Sequence, residues 1–496
     1  MRWTSMGATG SELRLDYVSA RNWIIYALSA LLLGYADEAA AQWQREVRFS
    51  SHDDSLLSTG GGPYSPTRAP IDPGRAGPGP AGPGPAPSAS IPESSSGFNG
   101  TEYWDALADL NLASLRGAAA SDVQSGFAHG MSLLADGDTE GAEKAFVDGS
   151  EQRSDANIGI ASRIMLAATL LYEHKWAELQ NLSLSSHLSA ADQAIVRDYQ
   201  KWGFAFANIE PQRVLLSADS MQMPLHITPI GTPTIRVRIN GKQYEFWLDT
   251  GSSITVINSD VAREVGVPIV SDDKLSVRTF SGSAPVRAAL IRRMEIGALL
   301  LENTAAVVVE ASHMSLRSAP DRVQSTRMHI DGIIGWDTIR QLDLLLDYTR
   351  GVIVIRRPQR TENSPHNLTW MGKPFVEVQT KRGETLHFTL DTGAQSSFLN
   401  AIALDKTGAS STLAEGVVFG IAGTGNRADK VIRTLPLQLG GKSVQLNGVM
   451  VYGPVYSGMI NCDGILGSDI ARYGTIRIDA TNGVFAIGLN PLRGSD

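Results

Sequence analysis

The chain has 496 residues, with 43 Lys and Arg against 51 Asp and Glu, a formal net charge of −8, 43% apolar residues and 19% charged ones. That length holds two or three domains, and the ordinary apolar share means that most of it folds. The charge balance argues against a nucleic-acid partner, which needs a basic patch or stripe; the single cysteine, Cys462, excludes an intramolecular disulfide.

Metal and redox spacings such as CxxC and HExxH are absent, so no metal and no cofactor is expected. Cys462 reads as a small buried apolar residue.

At the N-terminus, Arg2, Arg14 and Arg21 precede an apolar run from Trp23 to Tyr35, followed by Ala39-Ala40-Ala41 before Gln42. The run is shorter than the roughly 20 residues that span a bilayer. Residues 1–41 therefore read as a secretory signal peptide, with an uncleaved membrane anchor as the alternative. Either way the rest of the chain is expected outside the cytoplasm, periplasmic or secreted.

Residues 42–100 shift to Gly, Pro, Ser and Ala, including GRAGPGPAGPGPAPSAS. Such a segment cannot bury enough surface to offset its ordering entropy, and a disordered tether is expected.

Residues 101–217 read as helix, with apolar residues at helical spacing. Setting Leu134 on Leu171 aligns Asp138 with Lys175 and Ala142 with Leu179, a period of 37 (171 − 134). The segment LLADGDTEGAEKAF resembles a tetratricopeptide repeat, whose usual period is about 34. Either the region docks a protein partner or it is a packing and spacer domain, and the second reading is favoured.

From about Met223 the texture becomes short β-type runs broken by Gly and Asn. In TIRVRINGKQYEFWLDTG, Ile235, Val237 and Ile239 alternate, Asn240-Gly241 turns the chain, and a second strand runs into Asp249. FVEVQTKRGETLHFTLDTG does the same into Asp391, with Leu386, Phe388 and Leu390 alternating. DGIIGWDTI from Asp331 matches DGILGSDI from Asp463, and Gly351 faces Gly483 in LDYTRGVIVI and IDATNGVFAI. The offset is 142 at the Asp-Thr-Gly motifs (391 − 249) and 132 downstream (463 − 331). Two copies of one domain are expected, 223–358 and 372–491, with ten extra residues of the first copy in ASHMSLRSAPDRVQSTRMH.

These copies resemble the retropepsin-like lobes of the pepsin clan of aspartic peptidases, over about 270 of the 496 residues. The resemblance implies a multidomain chain: an all-α helical-repeat region, then two all-β lobes forming a pseudo-dimer with one active site between them. It implies Asp249 and Asp391 as the catalytic pair. Two carboxylates held close cannot both ionise, so one keeps its proton while the other activates water. Thr250 and Thr392 would reach across the lobe interface, and Gly251 and Gly393 would let the backbone turn beside each carboxylate. Ser252 is expected to hydrogen-bond its carboxylate where Ala394 cannot, raising the pH optimum. Flap hairpins are expected at Phe280, Ser281 and Gly282 and at Ile421, Ala422 and Gly423. Asp337 and Asp469 read as helix N-caps, and Asp331 and Asp463 as structural.

The expected function is an exported, single-chain, monomeric aspartic endopeptidase acting on extended, largely apolar peptides. The alternatives are a non-catalytic peptide-binding scaffold and lobes that pair between chains. Intact Asp and Gly in both copies favour the enzyme, and the connection Thr361 to Met371 is long enough for pairing within one chain.

Overall fold

The computed structural model describes residues 126–151, 156–183, 190–271, 275–279, 282–317, 327–361, 364–420, 423–452 and 462–489. The expected signal peptide and tether lie outside these residues. So do Phe280, Ser281, Ile421 and Ala422 of the expected flap tips.

Helices Gly126–Ala135 and Thr139–Glu151 form a hairpin, as do Ala156–Tyr172 and Trp176–Gln180, and Ala190–Phe206 follows. The first pair packs closely because Gly130 has no side chain: a Cβ there would lie 2.6 Å from Cδ1 of Phe146. The turns that close the first and third of these helices bond alike. Gly137 N–H donates to Leu134 O and Asp138 N–H to Leu133 O; His174 N–H donates to Leu171 O and Lys175 N–H to Leu170 O. Gly137 and His174 both take a left-handed φ, 76° and 59°, which closes the preceding helix. The second turn takes this conformation without a glycine.

Beyond the helices the described chain is mainly β. Strands β1 (Arg213–Leu216), β2 (Ser220–Pro224) and β3 (His226–Ile227) lead into lobe 1. The hairpin of β4 (Pro233–Ile239) and β5 (Lys242–Leu248) turns on Asn240 and Gly241 at φ 48° and 83°. Both residues tolerate that left-handed backbone, so the turn matches the twist of its strands. Next come β6 (Thr255–Asn258), β7 (Leu275–Thr279), β8 (Gly282–Ile296) and β9 (Leu299–Val309). A small hairpin of β10 (Ser315–Arg317) and β11 (Arg327–His329) precedes β12 (Gly332–Ile334), β13 (Asp343–Asp347) and β14 (Val352–Arg356).

Lobe 2 begins with β15 (Leu368–Trp370), β16 (Pro374–Thr380), β17 (Thr385–Leu390) and β18 (Phe398–Asn400). It continues through β19 (Thr412–Gly420), β20 (Gly423–Leu439), β21 (Lys442–Tyr452), β22 (Gly464–Leu466), β23 (Gly474–Asp479) and β24 (Val484–Leu489).

Each lobe closes into a barrel of the same order. In lobe 1 the ring runs β4-β5-β12-β6-β9-β8 and back to β4; in lobe 2 it runs β16-β17-β22-β18-β21-β20 and back to β16. The extra length of lobe 1 falls where the sequence placed it. Gly332 follows Val309 by 23 positions while Gly464 follows Tyr452 by 12, and β10 and β11 lie in that interval.

Ile235, Val237 and Ile239 are buried while Arg236 and Arg238 between them are exposed. In β17 the alternation does not separate inside from outside. Leu386, Phe388 and Leu390 face the core, but His387 and Thr389 are buried as well. The Cys462–Asp463 segment covers that second face: His387 N–H donates to Asp463 Oδ2 at 2.8 Å, and the Thr389 hydroxyl meets Cys462 Sγ at 3.3 Å.

The lobes join through a third sheet, β2-β14-β13-β23-β24, in which β13 of lobe 1 pairs antiparallel with β23 of lobe 2. Leu345 and Arg477, equivalent residues of the two copies, face each other at the centre of this pair. Arg477 forms two hydrogen bonds to Asp343, at 2.9 and 3.1 Å, and one to Asp479 at 3.0 Å. One continuous apolar core runs through both lobes and this joint, including Leu344, Leu346, Ile476 and Ile478.

Candidate active site

Asp249 and Asp391 stand just beyond the C-terminal ends of β5 and β17. Their own N–H groups donate to Ile334 and Leu466 of the adjoining strands β12 and β22, at 3.1 and 3.0 Å. The Asp-Gly-Ile-Ile/Leu-Gly segment makes this packing possible. A Cβ at Gly332 or Gly464 would strike the ring of Phe246 or Phe388 on the neighbouring strand. A Cβ at Gly335 or Gly467 would strike the backbone of Ile254 or Ser396. Trp336 N–H then donates to Ser252 O at 2.7 Å, and Ser468 N–H to Ala394 O at 2.8 Å. Both catalytic-loop candidates are thus held by the same bonds.

Thr250 and Thr392 cross between the lobes. Thr250 N–H donates to Thr392 Oγ1 at 3.1 Å, and Thr392 N–H to Thr250 Oγ1 at 3.0 Å. Each hydroxyl donates in turn across the interface, Thr250 to Leu390 O at 2.8 Å and Thr392 to Leu248 O at 2.6 Å. Both threonines are 1% exposed, so all four bonds are shielded from water.

This lock sets each carboxyl group against the other lobe's Asp-Thr-Gly loop, with the two aspartates near enough to act on each other. Asp249 Oδ1 accepts from Gly251 N–H at 2.8 Å and Ser252 N–H at 3.2 Å; Asp391 Oδ1 accepts from Ala394 N–H at 2.9 Å. Burial, and then the neighbouring Asp391 charge, push the Asp249 carboxyl well above the usual carboxylate range, against the pull of the two N–H groups.

Three expectations change in detail. Gly251 and Gly393 do make room, but for the carboxyl group of the opposite lobe. A Cβ on Gly251 would lie 2.5 Å from Asp391 Cγ, and one on Gly393 would lie 2.7 Å from Asp249 Oδ1. The Ser252 hydroxyl donates to Ile254 O at 2.8 Å and is spent there, so it does not distinguish Asp249 from Asp391. Asp337 is not an N-cap: Gly335 holds that position, and Asp337 lies inside the first turn with Oδ1 accepting from the Thr255 hydroxyl at 3.1 Å. The Ser397 hydroxyl makes the equivalent bond to Asp469 Oδ1 at 2.6 Å.

Asp331 and Asp463 are structural in matching ways, accepting from Glu245 N–H at 3.0 Å and His387 N–H at 2.8 Å. Cys462 is buried and its thiol pushed up by that burial, which keeps it a thiol rather than a thiolate nucleophile. At the expected flaps, β7 pairs with β8 as far as Thr279 and Gly282, and β19 with β20 as far as Gly420 and Gly423.

Sequence reasoning missed Thr255 and Ser397. Their signal was available: they are 142 positions apart (397 − 255), the interval of the two aspartates.

Residues 235–338 match the aspartyl protease family model. The matched stretch is lobe 1 from β4 to the short helix Trp336–Ile339, and includes Asp249, Thr250 and Gly251. No curated protein matches the chain. Among solved structures, a retropepsin-like aspartic protease from Rickettsia conorii is similar at 12% identity, over 30% of this chain and 97% of that one, with a TM-score of 0.21.

Proposed function

We propose that the protein is an aspartic endopeptidase whose catalytic pair is Asp249 and Asp391, one from each lobe. The reading rests on one observation: each lobe's glycine lies against the other lobe's carboxyl group, which sets the two aspartates side by side between the lobes. The aspartyl protease match over lobe 1 supports it.

In the proposed reaction a water sits between the carboxyls. The ionised one takes a proton from that water as it attacks the peptide carbonyl carbon, and the protonated one hydrogen-bonds the carbonyl oxygen. The tetrahedral diol then collapses, the C–N bond breaks, and a proton passes to the leaving nitrogen. The protons belong to the pair rather than to one named aspartate. The chain is proposed to act outside the cytoplasm, from its basic flank and apolar run, and the twice-repeated helix hairpin is proposed to be tetratricopeptide-like.

The test is cleavage of an unfolded protein substrate by Asp249→Asn and Asp391→Asn. Each single variant should lose about 10²–10⁴-fold in rate, the range of a lost acid–base group. Near-normal cleavage by either would refute the shared site.

A further inference from the structure

The helical region and both lobes meet around Tyr172, the last residue of helix Ala156–Tyr172. Trp370, on β15 of lobe 2, stacks on the tyrosine ring with 3.8 Å between centroids and 27° between planes. Arg340, at the end of the short helix Trp336–Ile339 of lobe 1, places its guanidinium carbon 3.8 Å from the same ring centre. Two groups that close to one centroid cannot share a face, so the ring is sandwiched between them. Arg340 Nη2 also donates to Tyr172 O.

The Arg340 layer leads to the catalytic loop of lobe 1, and the Trp370 layer into the turn that opens β16 of lobe 2. Arg340 caps the helix whose first N–H, from Trp336, holds Ser252 O beside Asp249. Trp370 runs directly into Met371-Gly372-Lys373-Pro374, the counterpart of Ile230-Gly231-Thr232-Pro233 in lobe 1. Gly231 and Gly372 share a left-handed φ, 91° and 85°. In lobe 1 this turn reaches the other lobe's catalytic loop. The Thr232 hydroxyl, fully buried, donates to Gly393 O at 3.4 Å, and Gly231 lies against Ser468, whose hydroxyl donates to Ala394 O at 2.8 Å.

The two barrels join directly through the β13–β23 pair with its Arg477–Asp343 bonds, the threonine lock and the Thr232–Gly393 contact. A third body bound to both sides of that joint adds a further constraint on any rocking of one barrel against the other. A mere spacer would not require an aromatic ring fixed on both faces, since cation–π and stacking contacts each constrain orientation as well as distance.

We propose that Tyr172 is a positioning residue for the peptidase reaction, and that the helical region works as a built-in brace setting how the two lobes face each other. The proposal rests on the peptidase reading for its kinetic consequence, but its mechanical consequence stands without it.

The experiment compares the full chain with Tyr172→Ala and Tyr172→Phe, reading kcat, KM and amide hydrogen exchange at Thr250 and Thr392. The amides of those residues are protected by the cross-lobe bonds and report the joint directly. Tyr172→Ala should speed their exchange about 10-fold or more and lower kcat by about 10–10²-fold, with a smaller change in KM, as expected for misplaced catalytic groups. Tyr172→Phe keeps the ring and should restore most of both. Unchanged exchange and kcat in Tyr172→Ala would overturn the brace, as would an equal loss in Tyr172→Phe. A wild-type chain that cleaves nothing overturns the peptidase reading alone, and the exchange rates then decide the brace.

Discussion

Gly251 packs against the carboxyl group of Asp391, at a distance that leaves no room for a methyl group. Gly393 does the same to Asp249. Neither glycine has a positive φ, so what each supplies is space, and the space belongs to the opposite lobe. Gly251→Ala and Gly393→Ala should push a carboxyl out of place. Cleavage should fall about 10²-fold, the scale of an ångström's misplacement, while stability falls by about 1–3 kcal/mol, as in other overpacked sites. Steady-state kinetics beside urea denaturation checks both.

Thr250→Val and Thr392→Val each remove one hydroxyl that both accepts and donates across the interface. Each should cost on the order of 2–4 kcal/mol, because a buried N–H and a buried carbonyl are left unpaired. The double variant should cost less than the sum, since both changes break one network. Thr→Ser at either position keeps the hydroxyl and should recover most of the loss in denaturant midpoints.

Ser252→Ala should leave the pH profile of cleavage in place, because its hydroxyl is committed to Ile254 O. The alkaline limb of that profile should lie well above the ordinary carboxylate range. Burial and the Asp391 charge hold a proton on the pair, and activity is lost as rising pH removes it. Profiles of wild type, Ser252→Ala and Ala394→Ser, measured in one buffer series, give the comparison.

Asp337 predicts a pH effect on stability rather than on catalysis. Burial, opposed by its bonds to Thr255 and Thr338, pushes it up to about 6, and its Oδ2 is buried without a hydrogen-bond partner. A carboxyl raised in the folded state favours the fold while protonated. The wild type should therefore lose on the order of 3 kcal/mol as pH rises from below 4 through 6. Asp337→Asn does not titrate and should flatten that slope in urea denaturation above and below the transition.

The doubled architecture was legible because chemistry at a lobe junction restricts residue types. Asp-Thr-Gly, the Asn240-Gly241 turn and the paired Gly-Ile segments each leave a mark in the local sequence, and their common order, at offsets of 142 (391 − 249) and then 132 (463 − 331), tied those marks into two copies. What each side chain touches was less legible. The serine beside Asp249 is aimed at a carbonyl two residues on, a choice of rotamer that no spacing encodes. The glycines meet carboxyls 140 positions away (391 − 251) and 144 positions away (393 − 249). Tyr172, Arg340 and Trp370 come from three separate bodies, and no periodic pattern could have joined them.

Leu345 and Arg477 face each other where the two copies are related by their internal symmetry. Two identical first lobes would set leucine against leucine there, with Asp343 beside Asp347 and without the two hydrogen bonds that Arg477 makes to Asp343. Two identical second lobes would set one Arg477 against another. The copies thus no longer fit themselves, only each other. Halves made as separate polypeptides should therefore reunite as an unlike pair.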